Sequence, residues 1–205
     1  MNVKVFFNLV LICLLSACGG YITNTTVDEI NKPPSRTIET RIKSEEAGNT
    51  TGDNIHDYMD RLAVKVQTSE GITIVPYKEG FRVIINSELL FSGASHTVQD
   101  APKCVAIFKT LKESPYVDYL MEVHTDGEGT RYYNQSLTER RAESLKKLFT
   151  DINFPMDRLE IKAYGEDQPI AENSFEWGKY LNRRVEVGVF ASEKLKELAQ
   201  KGPVQ

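Results

Sequence analysis

Cysteine, histidine and tryptophan are scarce in this 205-residue chain, at three, three and one copies, and each shortage excludes something. Cys13, Cys18 and Cys104 form no Cys-x-x-Cys pair and are too few for the disulfide framework of a small secreted scaffold. His56, His96 and His124 show no metal-ligand spacing, and no serine or cysteine sits in a recognisable nucleophile motif. The sequence therefore offers no metal centre, implies no cofactor and gives no sign of an enzyme. An excess of one charge is missing too: 25 Lys and Arg against 29 Asp and Glu leave a net charge of -4. With the basic residues spread along the chain, there is no face of the kind nucleic acid needs. Long apolar runs are also absent, since the best one, from Val5 to Leu15, is too short to span a bilayer permanently. What remains, 40% hydrophobic and 26% charged residues, suits one ordinary globular domain plus extra segments.

The first such segment is "MNVKVFFNLVLICLLSACGG": one early lysine, an apolar run, then small residues ending at Cys18. That is the layout of a secretion signal, residues 1–17. "LSAC" resembles a bacterial lipobox, which implies cleavage before Cys18 and acylation of that cysteine. Several acyl chains on one residue anchor stably where a single chain is marginal. Gly19 rather than aspartate follows, which by analogy with enterobacterial sorting points to the outer membrane, with the remainder facing the periplasm. Cys104 is then the one thiol left, and its spacing from Ile107, Phe108 and Leu111 puts it in a core.

Residues 18–54 are rich in Thr, Asn, Ser, Glu and Lys, carry Pro33-Pro34 and have almost no apolar periodicity. They read as a lipidated N-terminus and a flexible tether. About 36 residues of such chain have a typical end-to-end distance of roughly 30–36 Å.

The folded domain is expected over 55–205, opening with a short helix carrying Ile55, Met59, Leu62 and Val66. "GITIVPY" and "FRVIINSELLF" read as a hairpin, and Asp100 with Pro102 as the start of a helix that Ser114-Pro115 stops. "YVDYLMEVHT", "RLEIKAYG" and "NRRVEVGVF" read as strands, with Val185, Val187 and Val189 on one face. A helix from about Ser136 or Thr138 to Thr150 and a terminal helix in "SEKLKELAQ" complete the set. Strands alternating with helices give an α+β fold, two or three helices packed on a mixed four- to five-stranded sheet.

One residue is out of place. Leu137, Leu145 and Leu148 mark the inward stripe of a helix, and Arg141 lies on that stripe. An inward arginine is costly without an anion. Asp126, in "HTDGEG" just upstream, supplies one, so the two are either a structural ion pair or two halves of a ligand site. Arg183 and Arg184 are adjacent on a strand and point opposite ways, so one of them faces that site.

Four motifs in order carry a resemblance: "LFSGAS" at 90–95, "VHTDGEG" with Asn134 and "LTERRA" over 123–142, "AYGEDQPIAEN" at 163–173 and "NRRVEV" at 182–187. Together they resemble the OmpA C-terminal-like family of peptidoglycan-associated lipoproteins and flagellar stator proteins, over about residues 70–190. The resemblance implies a βαβαβ sandwich that binds peptidoglycan. It further implies that Asp126 takes the ammonium and Arg141 the carboxylate of stem-peptide diaminopimelate, with Thr125, Asn134 and Arg183 beside them. A zwitterion needs one fixed anion and one bidentate cation in fixed orientation, which these two side chains supply. The chain departs from the family pattern at Val123, in "LFSGAS", and at Lys179 and Tyr180. The implied role is a tether between outer-membrane lipid and the cell wall, or a subunit of an envelope-spanning secretion or motility complex that uses the domain for wall docking or protein contacts.

Overall fold

Alternation in the strands sets the architecture. In the last one, Val185, Val187, Val189 and Ala191 point to one side, and Arg184, Glu186, Gly188 and Phe190 to the other. The structure, a computed structural model, describes residues 37–38, 41–42, 49–66 and 70–205. The expected signal peptide, Cys18 and the tether up to residue 36 lie outside the described residues.

Helix α1 (Asn49–Lys65) leads into the hairpin β1 (Ile72–Tyr77) and β2 (Gly80–Asn86), turned at Lys78-Glu79, followed by a 3-10 turn at Ser87–Leu89. Then come α2 (Pro102–Lys112), β3 (Val117–His124), α3 (Arg131–Asp151), β4 (Leu159–Gly165), α4 (Glu176–Asn182), β5 (Arg184–Ala191) and α5 (Glu193–Ala199). The strands lie in the order β1-β2-β5-β3-β4. Only β3 and β4 run parallel, and α3 is their crossover. Pro76 is tolerated because β1 is an edge strand. The fold is α+β on a five-stranded mixed sheet, as read from the sequence, with five named helices among the described residues where two or three were expected.

The apolar face of the sheet meets residues from α1, α2, α3 and α5 in one core. Phe108 on α2 meets Phe149 on α3 edge-to-face at 4.8 Å, and Cys104 is buried there, its thiol pushed up to about 11 by desolvation. Truncating Phe149 to alanine would cost about 3–5 kcal/mol.

Three boundaries differ from the sequence reading. Helix α3 begins at Arg131 because the Thr130 hydroxyl accepts from the Tyr133 amide, so Ser136 lies inside the helix and caps nothing. Helix α2 has Ala101 at its N-cap with no side-chain bond, and Asp100 plays no part. Ordered structure also precedes Ile55: α1 starts at Asn49, and residues 37–38 and 41–42 are helical.

Those last residues lie on the second face of the sheet. Ile38 and Ile42, one turn apart, cluster with Leu120 and Phe190. Gly188 leaves room for them, since a Cβ there would stand 2.7 Å from Ile38 Cγ2. The Arg41 guanidinium sits 4.1 Å from the Phe190 ring centroid and donates to Glu160. The same face carries Arg82, Arg184, Glu186, Glu122 and His124, each at most 2% exposed. Burial and the Arg184 and Arg82 charges hold the His124 imidazole neutral, although Glu122 Oε2 lies 3.6 Å from Nε2. The ring stacks on Tyr164.

Candidate functional site

The site forms where β3 ends. Register shifts between Val123 and His124 because β4 carries an extra residue, Tyr164, before Gly165 pairs with His124. The Thr125 amide then donates to Gly165 O, and the chain leaves the sheet through Asp126 and the turn to Thr130. Gly129 permits that turn at φ 96°.

Asp126 is 6% exposed, and its carboxylate is held from two sides. Oδ1 accepts from the Glu128 amide at 3.1 Å, and Oδ2 accepts from Arg183 Nη1 at 2.8 Å. Arg183 also pairs with Glu88. Burial alone would pull the Arg183 guanidinium down, but the hydrogen bonds to Asp126 and Glu88 outweigh it and raise it. Arg183 therefore faces the site. Its neighbour Arg184 turns to the other face of the sheet, where it bonds Glu186, the carbonyl of Asn182 and the carbonyl of Gln168.

Arg141 is buried on the inward stripe of α3, with Leu137 a turn before it and Leu145 and Phe149 after it. Its partners are carbonyls: Nε donates to Ser95 O at 2.9 Å and Nη2 to Gly93 O at 2.6 Å. The guanidinium carbon lies 4.7 Å from the centroid of the Phe91 ring. The "LFSGAS" segment is thus the cradle of this side chain. No carboxylate pairs with Arg141 among the described residues, and desolvation pulls it down to about 10, with Tyr133 and Asp126 opposing. The structural ion pair between Asp126 and Arg141 is absent, because Arg183 occupies the carboxylate and backbone carbonyls occupy the guanidinium.

Asn134 works mainly within the protein. Its Nδ2 donates to the carbonyls of Glu128 and Asp126 and to Glu166, which ties α3 to the turn and to the loop after β4. Its Oδ1 is the atom left for another contact. The Thr125 hydroxyl is buried with no hydrogen-bond partner among the described residues.

A second set of contacts was not read from the sequence. Asn173 Oδ1 accepts from the Gly127 amide at 3.0 Å and from Asn182 Nδ2 at 2.9 Å, and Asn182 also bonds the Ile170 and Ala171 amides. Lys179 bridges Glu128 and Glu176, and those hydrogen bonds raise its ammonium. Helix α4 is in this way clamped against the turn. Asn173 and Asn182 both fall in the quoted motifs, so their presence was visible, but their mutual bond was not.

Chemically, the site presents a fixed carboxylate, a separate guanidinium with Nη1 uncommitted among the described residues, and an unsatisfied hydroxyl. That set suits a ligand bearing both charges.

The chain is similar to several known proteins. The chain is 41% identical over 70 residues to the sodium-type flagellar protein MotY of Vibrio parahaemolyticus, covering 34% of this chain and 24% of that protein. It is 38% identical over 68 residues to the peptidoglycan-associated lipoprotein of Pseudomonas aeruginosa, covering 33% of this chain and 40% of that one. The chain therefore spans well under half the length of the relatives it matches. Its fold superposes on the cell wall anchor of the T6SS from Pseudomonas aeruginosa with a TM-score of 0.56 and 25% identity, covering 65% of this chain and 97% of that structure. Residues 96–183, which include Asp126, Asn134, Arg141 and Arg183, match the OmpA family, and this chain carries an OmpA-family domain.

Proposed function

We propose that the domain binds peptidoglycan non-covalently, Asp126 taking the ammonium and Arg141 the carboxylate of stem-peptide diaminopimelate. One observation carries this reading: Arg141, a residue 3% exposed, has no carboxylate partner for its guanidinium among the described residues. A desolvated cation held only by two carbonyls and a ring is expensive, and an incoming carboxylate offsets that cost with a charge-assisted pair. Thr125 Oγ1 and Asn134 Oδ1 supply neutral contacts, and Arg183 orients Asp126. The relatives named for peptidoglycan association and for wall anchoring support the same reading.

The chain itself acts as an outer-membrane lipoprotein, anchored through acylated Cys18 with the domain in the periplasm, and it performs no catalysis. Its place as the wall-docking subunit of a secretion or motility complex is the second reading, supported by the likeness to MotY and to the T6SS anchor. Co-sedimentation with isolated sacculi, competed by free diaminopimelate, tests the wall reading; binding that the amino acid does not reduce would refute this site. Membrane fractionation of Cys18→Ser tests the anchor: the variant should leave the membrane fraction after a salt wash, and retention there would refute acylation as the anchor.

A further inference from the structure

Helix α4 buries one face and exposes another that the site described above does not use. Gly178 and Asn182 face inward, while Phe175, Trp177, Tyr180 and Leu181 are 39% to 54% exposed. Trp177 is the chain's only tryptophan. The rings of Phe175 and Trp177 stack with centroids 5.9 Å apart and planes 14° from parallel. Stacked on each other, the two rings cover the faces between them and leave about half of each side chain in water, an exposed aromatic patch of the kind that marks recognition.

The clamp on α4 fixes where that patch lies. Asn173 is bonded to Gly127, the residue after Asp126, and Phe175 follows two residues later, so its Cα is within about 7 Å of Asn173 Cα. Lys179, two residues beyond Trp177, reaches Glu128 in the same turn. A stem peptide held at Asp126 through its third residue has its sugar attachment about 10 Å away in extended form. The aromatic pair therefore lies within reach of a ligand of that length bound at Asp126.

We propose that Phe175 and Trp177 stack on the sugar rings of the glycan strand, making the site bipartite, with peptide at Asp126 and Arg141 and sugar on α4. The proposal rests on the stem-peptide reading above. A pyranose has an apolar face of C–H groups that packs on the outer face of such a stacked aromatic pair, and Glu172, Ser174 and Glu176 beside it in the chain offer partners for the ring hydroxyls. A protein partner is the poorer match. Four half-exposed large side chains present about 400 Å², against roughly 800 Å² per side in a standard interface, and Glu176 and Lys179 interrupt them.

The test uses the full chain and three ligands: the diaminopimelate tripeptide, the same tripeptide on its disaccharide, and a peptide-free N-acetylglucosamine oligomer. Calorimetry should show the disaccharide form binding roughly tenfold tighter than the tripeptide, the gain expected of a good aromatic contact. Both sugar-bearing ligands should shift Trp177 fluorescence, and the tripeptide should not. Phe175→Ala/Trp177→Ala should abolish the tenfold difference while leaving tripeptide binding intact, and Phe175→Ala alone should weaken the fluorescence response. Equal affinity of the two peptides for the wild type, without a Trp177 shift, would overturn the sugar platform and leave the stem-peptide site standing. Failure of the wild type to bind the tripeptide would overturn both. A double variant that keeps full disaccharide-peptide affinity but loses self-association in sedimentation would assign α4 to a protein contact instead.

Discussion

Arg183, and not Arg141, holds the carboxylate of Asp126: its Nη1 donates to Oδ2 at 2.8 Å across 57 residues of sequence. The two arginines thus divide the work. Arg183 fixes the carboxylate, and Arg141, with no carboxylate partner among the described residues, is seated on the carbonyls of Gly93 and Ser95. Had the two charges of the site neutralised each other, a zwitterionic ligand would have had to break their pair first.

Arg183→Ala should weaken sacculus binding by about tenfold, less than loss of Asp126 itself. In the proposed site Arg183 orients Asp126, and it is partly exposed, so its removal should cost roughly 1–2 kcal/mol rather than the penalty of a buried charge left alone. Melting temperature should move little. A loss of binding that tracks unfolding would make Arg183 a structural residue only.

Below about pH 6.5 an unfolded histidine takes up a proton, while burial and the Arg184 and Arg82 charges keep folded His124 neutral. The unfolded state then binds more protons, so stability is full above that pH and falls as pH drops through it, by up to about 1.4 kcal/mol per pH unit. Glu122 and Glu186 share this pocket in the wild type and in the variant alike. His124→Phe keeps a ring against Tyr164 and removes the proton site. Its thermal stability should therefore fall less between pH 6.5 and 5 than that of the wild type; parallel curves would refute the assignment.

Gly188→Val should displace Ile38, because a Cβ there already stands 2.7 Å from Ile38 Cγ2. The sheet core lies on the opposite face and should persist, with a loss of about 1–3 kcal/mol. Limited proteolysis should cut near residues 37–42 faster than in the wild type, and unchanged cleavage would mean that Ile38 and Ile42 contribute no protection.

The strands were legible because period-two alternation survives in short segments: Val185, Val187 and Val189 all reach the core. The same alternation could not say which of Arg183 and Arg184 faces the site, since that depends on where the strand begins. Helix α4 went unread because seven residues with Gly178 inside and no side-chain cap give too little periodicity. The start of α3 was hidden because Arg131, Tyr132 and Tyr133 are exposed and place nothing on the apolar stripe. Ile38 and Ile42 were two apolar residues in a polar stretch, and only the sheet face they cover gives them meaning. Arg141 was the reverse case, a charge on a leucine stripe, legible because it breaks the pattern.

The most direct measurement is sacculus binding by Asp126→Ala and Arg141→Ala at a temperature where circular dichroism shows each variant folded. Each should lose about 2–5 kcal/mol of binding, since either change leaves one end of the zwitterion unmatched. Arg141→Lys should also bind poorly, because an ammonium cannot keep the bonds to Gly93 and Ser95 and meet a carboxylate with two donors. Folded variants that bind sacculi as the wild type does would contradict the account.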